Sequence, residues 1–190
     1  MPQNTPSLTR RTPISRRRLL AATGSISLGA LAGCIGGGTD GTAGDDATDS
    51  QDTTWQTTTL TDVLTGRSFS IAELTGPVAI QSFAVWCPKC ERQSREMANL
   101  NGPVTAVSLN TDPNEDAQQV REHAETNGFD WRFAVAPTEM TDSLIAEFGP
   151  AIVSAPSTPM IVACGDGKAT FFSGSQQSVT ELQSAATECS

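Results

Sequence analysis

The sequence predicts an α/β domain in which a mixed sheet is flanked by helices on both faces. Three observations predict it. Strand-like and helix-like segments alternate from about residue 77 onward, at the spacing of strand–crossover–strand units. An apolar run at residues 77–85 leads directly into Trp86-Cys87-Pro88-Lys89-Cys90, which places two thiols three residues apart where a strand hands over to a helix. Near the end, an Asp166-Gly167 turn separates two short strand-like runs, the signature of an antiparallel hairpin.

Taken in order, residues 55–60 and 67–70 read as short strands, because Thr, Trp and Phe alternate with polar residues. Residues 77–85 form a strand buried on both faces, and residues 87–99 a helix. A strand follows at 104–109, then a helix at 114–127, opened by Asp112-Pro113 and stopped by Gly128. Residues 131–136 read as a strand, 138–148 as a helix, 159–163 and 169–172 as strands, and 176–188 as the last helix.

The first fifty residues carry a different signal. Ser15-Arg16-Arg17-Arg18-Leu19-Leu20 resembles a twin-arginine export signal, and residues 19–33 are apolar but short and rich in Gly and Ala. Leu31-Ala32-Gly33-Cys34 resembles a lipobox, which implies cleavage before Cys34 and lipid on its sulfur. The expected organisation is a signal peptide at 1–33, a tether at 34–52 and one folded domain at 53–190. The tether is Gly, Thr, Asp and Ala with too little apolar surface to offset chain entropy, and its r.m.s. reach is roughly 25 Å. Two acyl chains hold a protein on a membrane where a single chain holds it only marginally.

Charge changes at the same point. Five of the 12 basic residues precede Cys34 and none of the 21 acidic ones does, so the remainder carries seven basic against 21 acidic residues, a net of −14. Lys89 and Lys168 are the only lysines. Such a surface argues against nucleic acid as a partner and suits a protein exported into a saline medium, a halophilic-type surface.

The chemistry is concentrated at Cys87 and Cys90. At a helix N-terminus the unpaired backbone N–H groups and the macrodipole favour an anion, here the thiolate of Cys87. Cys90, one turn on, is placed to resolve a mixed disulfide formed at Cys87. Cys87 is therefore expected as an exposed nucleophile and Cys90 as the resolving thiol. The same spacing also builds half a zinc site, but the chain has no second C-x-x-C and a single histidine, His123, expected at the surface. No metal and no cofactor beyond the redox pair is expected. Trp86 fits either a core aromatic or, beside the cysteines, an apolar wall limiting water at the sulfurs. Lys89 is either a cation that favours the thiolate or a solvated helix-start lysine, and Pro88 occupies the first helical position.

The Phe83-to-Cys90 segment, Ser157-Thr158-Pro159 some seventy residues later, and the closing hairpin and helix together resemble the thioredoxin superfamily. The hairpin-like lead-in and the extra helix and strand between Asp112 and Ala136 are more similar to its membrane-anchored TlpA/ResA-type branch. The resemblance implies a thioredoxin-like fold with an N-terminal β extension and a central insertion. It also implies that Pro159 is a cis-proline facing the disulfide and that Thr158 offers backbone hydrogen bonds to a substrate chain. The alternative for Pro159 is an ordinary strand-start proline. Two positions depart from the family: Gln81 stands where thioredoxins carry a buried acid, and Gln93 where ResA-type proteins carry a Glu. Without those acids, water, Glu91 or Glu96 would take the resolving thiol's proton. In this topology Cys164 and Cys189 fall on the side away from the motif, where they either pair or leave Cys164 buried and Cys189 on a frayed tail.

The function implied is a lipid-anchored thiol–disulfide oxidoreductase on the extracytoplasmic face of the membrane. Its partners would be exported proteins with thiols or disulfides and a separate membrane electron donor or acceptor. The alternatives are a copper-binding metallochaperone of the same fold, which usually spaces its cysteines by three residues and adds a late histidine, and a peroxidase, for which the Thr-x-x-Cys context is missing.

Overall fold

The computed structural model describes residues 53–189. The signal-like segment, Cys34 and the tether lie outside the described residues. The domain opens with a helical turn, α1 (Thr54–Thr57), and a two-stranded antiparallel ribbon, β1 (Leu60–Thr61) and β2 (Ser68–Phe69). There follow β3 (Val78–Phe83), α2 (Pro88–Met97), β4 (Thr105–Asn110), α3 (Ala117–Asn127), β5 (Arg132–Val135) and α4 (Thr138–Phe148). The chain closes with β6 (Met160–Ala163), β7 (Ala169–Phe172) and α5 (Val179–Thr187).

The main sheet has five strands in the order β5-β4-β3-β6-β7. β3 pairs parallel with β4 and antiparallel with β6, and β4 pairs parallel with β5, so β3 is central and every one of its residues is buried. Period-2 alternation divides the core into layers. Val78, Ile80, Val107, Leu109, Ala134 and Ile161 face the side covered by α1 and α4, through Trp55, Met140 and Leu144. Ala79, Met160 and Val162 face the other side, against Met97 of α2 and Leu182, Ala185 and Ala186 of α5. Farther along that second face, Phe83 and Phe133 pack with Val120 and Ala124 of α3 and with the two cysteines of the motif. No helix among the described residues is long and apolar enough to cross a membrane.

Three expectations need correction. Residues 54–57 are helical rather than extended. Their Thr-rich alternation imitates a strand, but Trp55 is buried edge-on against Phe148, its N–H donates to Ser143 Oγ at 3.1 Å, and its indole donates to Glu147. Packing on α4 therefore overrides strand propensity. Helix α3 starts at Ala117 because Asp116 caps it, accepting from Gln118 and Gln119 N–H at 2.9 Å while Gln119 reaches back to the Asp116 N–H.

The third correction concerns Pro159. No cis peptide bond occurs among the described residues, so Pro159 follows a trans bond. The reversal into β6 is made instead by Thr158, which caps the helical turn Ala155–Ser157 with φ 51 and ψ 54. This left-handed conformation is costly for a β-branched residue, and it is held by burial at 2% exposure and by the Thr158 N–H donating to Ala155 O at 2.9 Å. That N–H is consequently not open to a substrate chain. Pro159 O accepts from Ser82 N–H at 3.1 Å, which joins the turn to the central strand.

Candidate active site

The apolar run of β3 ends at Phe83, and a tight turn, closed by Cys87 N–H donating to Ala84 O at 3.1 Å, delivers the chain to α2. Cys87 is the N-cap of α2, in an extended conformation, and Pro88 follows at the first helical position. The cysteine sulfur takes the part that a Ser or Asp oxygen plays in an ordinary cap: Cys87 Sγ accepts the Cys90 N–H at 3.2 Å. Cys87 and Cys90 are joined as a disulfide, with their Cα atoms 5.3 Å apart.

Both cysteines are covered. Cys87 is 2% exposed and Cys90 is fully buried, so the expectation of an open nucleophile does not hold for this oxidised state. The cover is the Ala155–Ser157 turn, whose Ala155 carbonyl oxygen lies 3.1 Å from Cys90 Sγ and 3.5 Å from Cys87 Sγ. Trp86, expected as a wall, is the exposed large hydrophobic beside the pair, 59% accessible. Its indole N–H donates to Asp112 Oδ2 at 2.6 Å. That bond, followed by the Asn114 N–H, holds the Asp112 carboxyl below the usual carboxylate range. Lys89 is exposed and, among the described residues, pairs with no carboxylate.

The two glutamines at the positions that departed from the family are both fully buried and fully engaged. Gln81 Nε2 donates to Cys90 O at 2.8 Å, while its Oε1 accepts from Ser94 Oγ at 2.8 Å and Ser108 Oγ at 3.4 Å. Trp131 Nε1 in turn donates to Ser108 Oγ at 2.9 Å. Gln93 makes a reciprocal pair with the backbone before α5, donating to Gln177 O at 3.0 Å and accepting from Gln177 N–H at 2.7 Å. These neutral networks anchor α2 on both sides of Cys90. Of the substitute proton acceptors, Glu91 is paired with Arg95 on the surface of α2, and Glu96 is half-buried on the same helix.

His123, expected at the surface, is buried at 8% exposure, its ring stacked on Phe83 with centroids 5.6 Å apart. The signal was available in the sequence, because His123 shares a helical face with Val120 and Ala124. Burial pushes its imidazole below the ordinary histidine range, against the opposing pull of Glu91 and Glu115. A second residue went unnoticed entirely: Glu115 Oε2 accepts the Val85 N–H at 2.8 Å and the Asn110 side-chain amide, and Oε1 lies 3.4 Å from the Trp86 N–H. No spacing rule links position 115 to the motif; the contact exists because β3 and β4 are neighbours.

Cys164, just past β6, and Cys189, just past α5, form a second disulfide with Cα atoms 5.1 Å apart, at the end of β6 opposite Pro159. Among the described residues no group of three or more His, Cys, Asp or Glu side chains is arranged to hold a metal ion.

No family model matches the chain, and no curated protein is similar enough to count as a match. Solved structures do match. A secreted Mycobacterium tuberculosis disulfide oxidoreductase homologous to E. coli DsbE is 17% identical, with a TM-score of 0.52 over 73% of this chain and 97% of its own. A thiol:disulfide interchange protein of the thioredoxin family from Chlorobium tepidum is 18% identical, with a TM-score of 0.55 over 70% of this chain and 92% of its own. BsSco, a member of the Sco family of cytochrome c oxidase assembly proteins, is 16% identical, with a TM-score of 0.54 over 70% of this chain and 90% of its own. Together with the order of the sheet and the place of the motif just after its central strand, these likenesses assign the chain a thioredoxin-like fold.

Proposed function

We propose that the chain is a thiol–disulfide oxidoreductase, held by lipid on Cys34 at the extracytoplasmic face of the membrane, that exchanges disulfides with exported proteins through Cys87 and Cys90. One observation carries the reading: the Cys87 sulfur caps α2 and receives the Cys90 N–H, so the helix terminus is aimed at the atom that must carry negative charge. A thiol of pKa ~8.5 is about 3% ionised at pH 7, and roughly 2 kcal/mol of thiolate stabilisation raises that to about half.

In the reduced state the Cys87 thiolate attacks one sulfur of a client disulfide. An interchain S–S bond forms, and the client's other sulfur leaves as a thiolate that takes a proton from water. Cys90 then gives its proton to water and attacks the Cys87 sulfur, closing the internal disulfide and releasing the client's second thiol. Two electrons have passed to the client, and a membrane-borne dithiol carrier restores the pair by the same exchange in reverse. With an oxidising carrier in its place the cycle oxidises client dithiols. The likeness to a protein described as a secreted disulfide oxidoreductase supports the compartment as well as the chemistry. The alternative of copper delivery has less support in the geometry, since no third ligand joins the two sulfurs among the described residues, and the likeness to BsSco, at 16% identity, carries the fold alone.

The test is a pair of measurements on the full chain. Cys90→Ser should accumulate covalent mixed disulfides with exported proteins, lost on adding reductant, and the wild type should reduce insulin while Cys87→Ser does not. A Cys90→Ser chain that traps nothing, with an insulin-inactive wild type, refutes the reading. The reduction potential then sets direction: near about −270 mV the pair suits a reductant and near about −120 mV an oxidant.

A further inference from the structure

Among the carboxylates of the described residues, Glu115 alone accepts backbone N–H groups from the turn that leads into Cys87. Three parts of the fold meet on it. One is the turn at Val85 and Trp86; the second is Asn110, fully buried at the end of β4; the third is the segment before α3 on which Glu115 itself sits. The neighbouring carbonyl of Phe83 is held from the same side, by the Thr111 N–H at 3.1 Å and the Asn110 amide at 3.4 Å. Beyond the turn, Cys87 adopts φ −92 and ψ 104, the extended conformation that points its sulfur back at the Cys90 N–H.

We infer that Glu115 is a positioning residue for Cys87: its carboxylate fixes the turn at Val85 and Trp86 so that the sulfur stays on the N–H of Cys90. The inference rests on the thiol–disulfide reading and adds to it a residue that never touches sulfur. Two effects of Glu115 on the thiolate oppose each other. Its negative charge disfavours a second anion nearby, whereas its grip on the turn preserves the hydrogen bond that favours one. Salt weakens the charge effect, less so between partly buried groups than at the open surface, while the geometric effect is independent of salt. High salt therefore shifts the balance toward the grip.

The test follows ionisation of Cys87 directly, in full-chain protein carrying Cys90→Ser, which keeps the backbone N–H. The rate of iodoacetamide alkylation, read at the Cys87 peptide by mass spectrometry, is measured against pH in 1 M salt. Glu115→Gln removes the charge and sets an amide donor against at least one of the donors that Glu115 holds, Val85, Trp86 and Asn110, and Glu115→Asp keeps the charge but shortens the reach. Both should raise the apparent pKa of Cys87 by about one unit, roughly a tenfold loss of thiolate at pH values below it. A downward shift in Glu115→Gln with none in Glu115→Asp assigns the effect to charge and overturns the inference, as does an unshifted profile in both. Alkylation needs no client, so insulin reduction by the wild type judges the oxidoreductase reading separately.

Discussion

Replacing Gln93 with glutamate restores the acid that ResA-type proteins carry, and the structure predicts what that acid would meet. Gln93 is fully buried, and its amide both donates to and accepts from the backbone of Gln177. A protonated glutamic acid can make the same two bonds, its O–H donating to Gln177 O. A carboxylate cannot, and it sets two oxygens face to face in a buried site. Full burial raises carboxyl pKa values by about 3–5 units, and the lower figure corresponds to about 4 kcal/mol at 1.36 kcal/mol per unit. The raised folded value means the variant matches the wild type below the unfolded Glu pKa of about 4.3 and loses stability as pH rises through about 7. With unfolding entropy of about 2.1 cal/mol/K per residue over a domain of this size, the loss is roughly 10–15 °C in Tm. Thermal unfolding of oxidised wild type and Gln93→Glu at pH 4.5, 6 and 8 checks this. Equal Tm values at pH 8, within about 2 °C, would refute the assignment of Gln93 as a neutral clamp between α2 and the segment before α5.

The remaining predictions are these. Removing the second disulfide with Cys164→Ser and Cys189→Ser opens a loop closed over a separation of 25 residues; the chain-entropy relation gives about 3.5 kcal/mol, or roughly 12 °C in Tm. Insulin reduction at 25 °C should be unchanged, since the bond lies at the end of β6 away from the motif, and a loss of activity without a loss of Tm would contradict that placement. His123 is held below its ordinary pKa by burial, so the unfolded chain takes a proton that the folded chain refuses. Stability is therefore full above about pH 6.5 and falls as pH drops toward the folded value. His123→Leu should flatten the change in Tm between pH 7 and 5, and an identical slope in both proteins would show that the ring titrates freely.

The parts of the fold that could be read from sequence are those where local pattern and tertiary demand agree. The helix at 138–148 and the strand at 169–172 coincide with α4 and β7, because periodicity and flanking turn residues point the same way. Cys87 and Cys90 were legible because a short motif at a strand–helix junction carries its own geometry. The errors lie where distant residues decide. Trp55 turns helical to reach Ser143 and Phe148, Pro159 follows a trans bond with Thr158 left-handed where a cis-proline was expected, and Trp86 is exposed with its indole on Asp112. Glu115 belongs to the same class, since its importance follows from strand adjacency that no local pattern encodes. The departures at Gln81 and Gln93 were visible as missing charges, but their partners at Cys90 O and Gln177 were not.

The carbonyl of Ala155, resting on both sulfurs, has a bearing on how the oxidised pair is reached. In the oxidised state a reducing thiol reaches either sulfur only as the three-residue turn shifts, so a small local opening precedes reduction of the pair. Selectivity at such a centre belongs as much to whatever pries that turn open as to the affinity of one thiol for another.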